Sequence, residues 1–281
     1  MNVSCKNLDQ RHQTMTCYKG LLCIFLAVQA GTVSVVLAQD KRTSGAVYLS
    51  KQMQDLQADA SRNPISLWQD RGQALWQGQC KSCHGEMATL KRSATSFPRL
   101  STDGKSLINL EDQIARCQQR KSQNPASAQA MEPAATLSTD SDEVLNLSVA
   151  LHQVAVGAPI KVAAPTGHAS AEVQWRARFS SGEKLYQTRI GRMNLACMHC
   201  HDQKVGAHMR ADTISQGHPT GFLIYRMSWQ TMGSIDRRLR ACYSGVQATV
   251  PPTGSPELRD LELFLKVRAN GMPLDGPSIR R

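Results

Sequence analysis

The feature that most constrains the fold of this chain is a five-residue pattern, C-x-x-C-H, which occurs twice, at residues 80–84 and 197–201. This spacing is the attachment signature of c-type haem, because two thiols so placed can bond to the two vinyl groups of one porphyrin. The adjacent histidine can then bind the iron. The sequence therefore predicts two haem c groups, attached through four cysteines and bound at iron by two histidines: Cys80, Cys83 and His84, then Cys197, Cys200 and His201.

A zinc site built from all four motif cysteines is the alternative, since four thiolates are a common structural zinc ligand set. Zinc would leave the two histidines, which occupy the same place in both motifs, without a role. We therefore favour haem.

The sequence around the two motifs also repeats. A helical segment with the pattern G-x-x-L-(W/Y)-Q precedes each motif, at residues 72–77 and 182–187. Residues 143–159 match residues 257–273 at a constant offset of 114 positions. Apolar residues spaced i, i+3 and i+7 predict an amphipathic helix in both of these segments. The repeat predicts an all-α fold made of two tandem class I cytochrome c-like domains.

The predicted organisation has three parts. Residues 1–38 read as a signal peptide, residues 39–163 as the N-terminal domain with the first haem, and residues 164–281 as the C-terminal domain with the second haem. Glycine, alanine, proline and threonine interrupt the helical pattern near the boundary between the two domains.

Export is predicted from the N-terminus, where basic residues precede an apolar stretch at 20–37 and small residues end at Ala38. We expect cleavage near Ala38, a periplasmic location and no stable membrane insertion, although a stretch of this length is also at the lower limit of a membrane anchor. Cleavage would lower the net charge from +11 to +9. For an exported basic protein we predict no nucleic-acid partner, and we favour small anions or an acidic protein.

Each half contains one further cysteine. Cys117 follows the first motif histidine by 33 residues, and Cys242 follows the second by 41. An acidic residue lies five or six positions before each of them, at Asp112 and Asp236. Because thiolate is a known haem ligand, two cysteines in equivalent places predict an equivalent role at iron.

Other arrangements remain open from the sequence. Cys117 and Cys242 could form a disulfide with each other, since they are the two cysteines left outside the motifs. Met131 is a candidate ligand in the first half, but the second half has no methionine in the comparable place. His208 or His218 could instead bind the second iron.

Several arginines surround Cys242 in sequence. Arg238 would share its face of a helix, and Arg237 and Arg240 lie nearby. Guanidinium groups lower a thiol pKa and bind a pair of sulfonate oxygens. Alternatively these residues, with Arg226, form a solvated basic face.

Between residues 72 and 273 the chain resembles the SoxA family, the dihaem subunit of SoxAX cytochrome complexes. The resemblance rests on the two motifs, on the lone cysteine after each, and on the sequence R-R-L-R-A-C-Y-S-G around Cys242. It implies that His84 pairs with Cys117 at one iron and His201 with Cys242 at the other. It also implies that Cys242 is the catalytic cysteine, found as a persulfide, and that Arg238 binds substrate.

The activity of that family is L-cysteine S-thiosulfotransferase, in which thiosulfate is oxidatively joined to a cysteine of the SoxYZ carrier protein and two electrons leave through haem. The resemblance therefore places the active site in the C-terminal half. It also implies a heterodimer with a SoxX-type monohaem cytochrome. A dihaem electron carrier without chemistry of its own, or a peroxidase-like enzyme, would be the alternatives.

Overall fold

The structure is a computed structural model that describes residues 41–122 and 138–281. The predicted signal peptide and Met131 lie outside the described residues. Within the described ranges, no helix is both long enough and apolar enough to cross a membrane.

The first half of the described chain is mainly helical. Its main helices are α1 (Lys51–Ala58), α2 (Ile65–Leu75), α3 (Lys81–His84), α4 (Lys91–Thr95), α5 (Leu110–Ser122) and α6 (Asp142–Val154), with a hairpin of β1 (Arg99–Leu100) and β2 (Leu107–Ile108) before α5. A π-helical turn, Trp76–Cys80, joins α2 to α3. The first motif therefore lies at the end of a continuous helical segment, and Cys117 lies on α5.

The second half of the described chain combines helices with short strands. Its helices are α7 (Ala169–Gln187), α8 (Cys197–His201), α9 (Ile235–Gly245) and α10 (Pro256–Arg268), and its strands are β3 (His208–Met209), β4 (Asp212–Thr213), β5 (Ile224–Arg226), β6 (Thr231–Gly233) and β7 (Ser278–Arg280). The second motif forms α8, and Cys242 lies on α9.

The strands correct the prediction of an all-α fold. β5 pairs antiparallel with β6 and parallel with β7, so that Tyr225 lies opposite both Met232 and Ile279 in a three-stranded sheet. Each strand has only two or three residues. That length is too short for an alternation of apolar and polar residues to be visible in the sequence.

Two helix crossings bring the repeated segments together, α2 with α6 and α7 with α10. A glycine lies at the closest point of each crossing. A Cβ on Gly72 would lie 2.0 Å from the carbonyl oxygen of Asn146, and a Cβ on Gly182 would lie 2.0 Å from that of Asp260. Asn146 and Asp260 are 114 positions apart, the offset found in the sequence. The predicted helices are therefore confirmed in both halves.

The segments that follow α6 and α10 contact each other reciprocally. The backbone N–H of Gly157 donates to Leu274 at 2.8 Å, and that of Gly271 donates to Ile160 at 2.9 Å. Gly271 and Leu274 are the repeat equivalents of Gly157 and Ile160. One contact is thus made twice, as it would be around a local two-fold axis.

The core behind the second motif is an apolar cluster from α7, α9 and α10. Its buried members include Tyr186, Leu239, Tyr243, Leu258 and Phe264, and Cys197 packs against it. The largest cluster combines residues from both halves, since Val144 of α6 and Leu263 of α10 belong to it. The two halves therefore share part of one core.

Candidate functional site

The second motif holds its histidine in a defined orientation. The ring nitrogen Nδ1 of His201 lies 2.8 Å from the carbonyl oxygen of Ser215, and because a carbonyl only accepts, Nδ1 carries the proton. Nε2 is then the nitrogen available to a metal. Gly217 packs against the ring, and a Cβ there would lie 3.0 Å from the imidazole Cγ. Burial lowers the pKa of His201, which favours the neutral form that binds metals.

Helix α9 positions Cys242 near the second motif. The hydroxyl of Ser234 caps α9 by accepting the N–H of Arg237 at 3.3 Å. Leu239 is buried on the inner face of α9, and Cys242 is half-buried beside it. Burial, and after it the negative charge of the Cys242 thiolate, raises the pKa of Cys197 to about 11. Cys242 therefore lies close enough to the second motif for its charge to act on Cys197.

Two of the neighbouring arginines are held by the protein itself. The guanidinium carbon of Arg237 lies 4.4 Å from the ring centroid of Trp229, and its Nη1 donates to the carbonyl of Met232 at 3.3 Å. Nε of Arg240 donates to the carbonyl of Pro251 at 3.0 Å. A uniformly solvated basic face is therefore not what these residues form.

Arg238 is placed differently. It is half-buried, and among residues 41–122 and 138–281 its guanidinium makes no hydrogen bond or ion pair. After burial, the positive charge of Arg238 is the strongest influence that lowers the pKa of Arg226, and it also lowers the pKa of His201. Arg238 therefore lies near His201 and Cys242, and no side chain within the described ranges competes with an anion for its donors.

The first motif has a similar support. The rings of Trp76 and His84 lie 5.9 Å apart between centroids, and Nε1 of Trp76 donates to the carbonyl of Gly85 at 3.1 Å. Cys80 ends the π-helical turn, while Cys83 and His84 are exposed on α3.

Each motif is anchored by an aromatic residue of the helical segment before it. Trp76 bonds to Gly85, and the hydroxyl of Tyr186 donates to Asp202 at 2.8 Å. Gly85 and Asp202 each directly follow a motif histidine. The preceding helix thus holds the end of the motif in both halves.

Cys117 is exposed on α5, and α5 runs beside the first motif. The side chain of Gln118 donates to Gln79 at 3.1 Å, and Gln79 directly precedes Cys80. The structure therefore puts Cys117 and the first motif in the same half of the molecule, on neighbouring helices.

The six cysteines in the described part of the chain are all free thiols, so Cys117 and Cys242 do not form the disulfide considered above. Among those residues, no three or more His, Cys, Asp or Glu side chains form a cluster that could hold a metal ion. His208 lies exposed on β3. Two thiols and an imidazole with a free Nε2 on one short helix fit c-type haem.

Sequence reasoning did not find Ser215 and Gly217, which orient His201. Ser215 acts through its backbone carbonyl, and that group is the same in every residue. Gly217 has a φ of +73°, which favours glycine, so the glycine itself was the available signal.

This chain is similar in sequence to several known proteins. Residues 66–160 match the family model described as SoxA/TsdA, cytochrome c domain. The chain is 30% identical over 251 residues to the L-cysteine S-thiosulfotransferase subunit SoxA of Pseudaminobacter salicylatoxidans, covering 86% of this chain and 82% of that protein. It is 26% identical to the protein of the same name from Paracoccus pantotrophus, covering 84% and 78%.

The same likeness extends to three dimensions. A chain in the crystal structure of SoxXA from P. pantotrophus superimposes with a TM-score of 0.72 at 25% identity, covering 85% of this chain and 87% of that one. On the sequence match to the Pseudaminobacter protein and on this shared cytochrome c fold, the chain belongs to the SoxA family.

Proposed function

We propose that this protein is a dihaem L-cysteine S-thiosulfotransferase that joins thiosulfate to a cysteine of a SoxYZ-type carrier protein. Its relatives bear the name of that activity. The observation that carries the proposal is the position of Cys242, a free thiol whose charge acts on Cys197 of the second motif. Arg238 lies one helical turn before it on α9, and its guanidinium has no partner among residues 41–122 and 138–281.

Two haem groups would be held by residues that the sequence motifs favour. Cys80, Cys83, Cys197 and Cys200 would form the covalent attachments, and the irons would be bound by His84 with Cys117 and by His201 with Cys242. When bound, haem supplies an iron that stabilises a thiolate ligand and accepts electrons one at a time.

The reaction can be balanced in terms of bonds. The S–H bond of the carrier cysteine breaks, a sulfur–sulfur bond forms to the sulfane sulfur of thiosulfate, and one proton and two electrons leave. Cys242 would first form a sulfur–sulfur bond to the sulfane sulfur of thiosulfate as the two electrons leave. The carrier thiolate would then take over the whole sulfur–sulfonate group, and the Cys242 thiolate would be the leaving group. Arg238 would bind the sulfonate oxygens, because a guanidinium matches a pair of such oxygens.

The organisation as two tandem class I cytochrome domains, 39–163 and 164–281, is part of the proposal. It is supported by the reciprocal bonds of Gly157 and Gly271 and by the matching crossings at Gly72 and Gly182. A SoxX-type monohaem cytochrome is the proposed partner. Periplasmic location after cleavage near Ala38 rests on the N-terminal sequence.

The test compares the two lone cysteines in the holoprotein. Cys242→Ala should lose one of the low-spin thiolate signals in the electron paramagnetic resonance (EPR) spectrum and abolish conjugation of thiosulfate to the carrier. Cys117→Ala, the matched control, should lose the other signal and retain conjugation. If Cys242→Ala kept both signals and reacted at the wild-type rate, the protein would be better described as a dihaem electron carrier.

A further inference from the structure

Arg226 belongs to β5, outside the arginine-rich helix, yet it lies at the same site. Its side chain is 17% exposed, and its Nη2 lies 3.7 Å from Oδ2 of Asp212, a residue whose own side chain is 53% exposed. Nε of Arg226 is buried and has no hydrogen-bond partner among the described residues. Because buried donors are nearly always paired, this one points to a ligand.

The charges around Arg226 indicate what kind of ligand would bind. The positive charge of Arg238 acts on Arg226 more strongly than the negative charges of Asp212 and Cys242 do. Two guanidinium groups that lie close together in a partly desolvated site repel each other. An anion that contacts both would remove that repulsion and satisfy the unpaired donor.

The surrounding side chains hold Arg226 in position. Its guanidinium carbon lies 5.4 Å from the ring centroid of Trp229. Gly233 leaves room for that ring, since a Cβ at Gly233 would lie 2.5 Å from Cζ3 of Trp229. Arg237 contacts the same ring but already donates to the carbonyl of Met232. Of the two arginines on Trp229, Arg226 is the one whose buried Nε has no hydrogen-bond partner among the described residues.

We propose that Arg226 is a second anion-binding residue of this site and that it binds, together with Arg238, the oxygens of a sulfonate-bearing dianion. Three sulfonate oxygens can accept donors from two guanidinium groups, and two positive charges match a dianion. The identity of the anion as thiosulfate rests on the proposed function, whereas the binding of an oxyanion dianion does not.

The test uses the oxidised holoprotein without carrier and two probes, sulfate and thiosulfate, titrated by calorimetry at low ionic strength. Sulfate has no sulfane sulfur and so reports oxyanion binding alone. Arg226→Gln should weaken the binding of both anions by about ten- to a hundredfold, the loss expected for one charge-assisted hydrogen bond. Arg226→Lys, which keeps the charge but not the planar fork, should recover part of that affinity.

Arg237→Gln is the matched control, because it removes the other guanidinium on Trp229, and its affinities should stay within about twofold of wild type. Equal losses in Arg226→Gln and Arg237→Gln, unchanged affinity in Arg226→Gln, or no binding of sulfate to the wild type would each overturn the proposal. If sulfate binding depended on Arg226 but the wild type failed to conjugate thiosulfate to the carrier, the proposed function would fail while this inference stood.

Discussion

Arg259 forms a bidentate ion pair with Asp112, with Nε 2.5 Å from Oδ2 and Nη2 2.9 Å from Oδ1. Nη1 of the same guanidinium donates to Asp236. Asp112 precedes Cys117 on α5, and Asp236 precedes Cys242 on α9. A single buried arginine of α10 therefore ties together the two helices that carry the lone cysteines.

Removing that arginine should be strongly destabilising. Arg259 is 2% exposed, and burial already raises the pKa of Asp236, so Arg259→Gln would leave carboxylates buried without their counter-ion. We expect the free energy of unfolding of the holoprotein to fall by about 3–5 kcal/mol in chemical denaturation at pH 7.

The control for Arg259 is an exposed ion pair on α7, Arg176 with Glu172, whose side chains are 70% and 41% exposed. Arg176→Gln should change the free energy of unfolding by less than about 1 kcal/mol. Similar losses in the Arg259 and Arg176 variants would show that the buried network does not hold α5 and α9 together.

A pH-dependent loss of stability is expected from His152. It is buried on α6, where Nδ1 lies 2.8 Å from the carbonyl of Ser148. Burial, followed by the charge of Lys266, lowers the pKa of His152 to about 3. The unfolded chain takes up a proton near pH 6.5 while the folded protein does not, so protonation favours unfolding in this range.

The measurement is the free energy of unfolding of wild type and His152→Gln at pH 7.5 and pH 5.0. Between pH 7.5 and pH 5.0, the free energy of unfolding of the wild type should fall by about 2 kcal/mol more than that of the variant. Other groups that titrate in this range contribute to both proteins and so cancel in the difference. A constant difference across the range would mean that His152 is protonated in the folded state.

The sequence predicted what is local and repeated. The two motifs, the helices before them and the amphipathic helices after them all follow from residue spacing. Asp112 and Asp236 were noticed as acidic residues before the lone cysteines, but their common partner was not. The sequence does not distinguish a buried arginine such as Arg259 from a solvated one. Only the fold brings α5, α9 and α10 together around it.

Contacts between segments that are distant in the chain could not be predicted from the sequence either. The bonds of Gly157 with Leu274 and of Gly271 with Ile160 use backbone groups, which every residue has. The parallel pairing of β5 with β7 joins strands of three residues. Such pairings are decided by the packing of the helices around them, so local pattern gives no sign of them.

The glycines at the two helix crossings should be intolerant of a side chain. Gly72→Ala and Gly182→Ala would each put a Cβ 2.0 Å from a backbone carbonyl oxygen, so the helices must move apart. We expect each change to lower the free energy of unfolding by about 3 kcal/mol. Gly78→Ala is the control, because a Cβ there meets nothing within 4 Å. If all three variants were equally stable, the crossings would be looser than described.

Gly217 should determine the orientation of His201, and Gly206 provides a control with a similar φ angle. Their φ angles are +73° and +82°, so alanine strains the chain at either position by about 1 kcal/mol. A Cβ at Gly217 would lie 3.0 Å from the imidazole Cγ, whereas one at Gly206 meets nothing within 4 Å.

Gly217→Ala should therefore shift one low-spin EPR signal of the ferric holoprotein, and Gly206→Ala should shift neither. The shifted signal should be the one that persists in Cys117→Ala, because His201 belongs to the second motif. A shift of the other signal would contradict the assignment of His201 to the second motif. Equal shifts from both alanine variants would mean that backbone strain, rather than contact with the ring, is responsible.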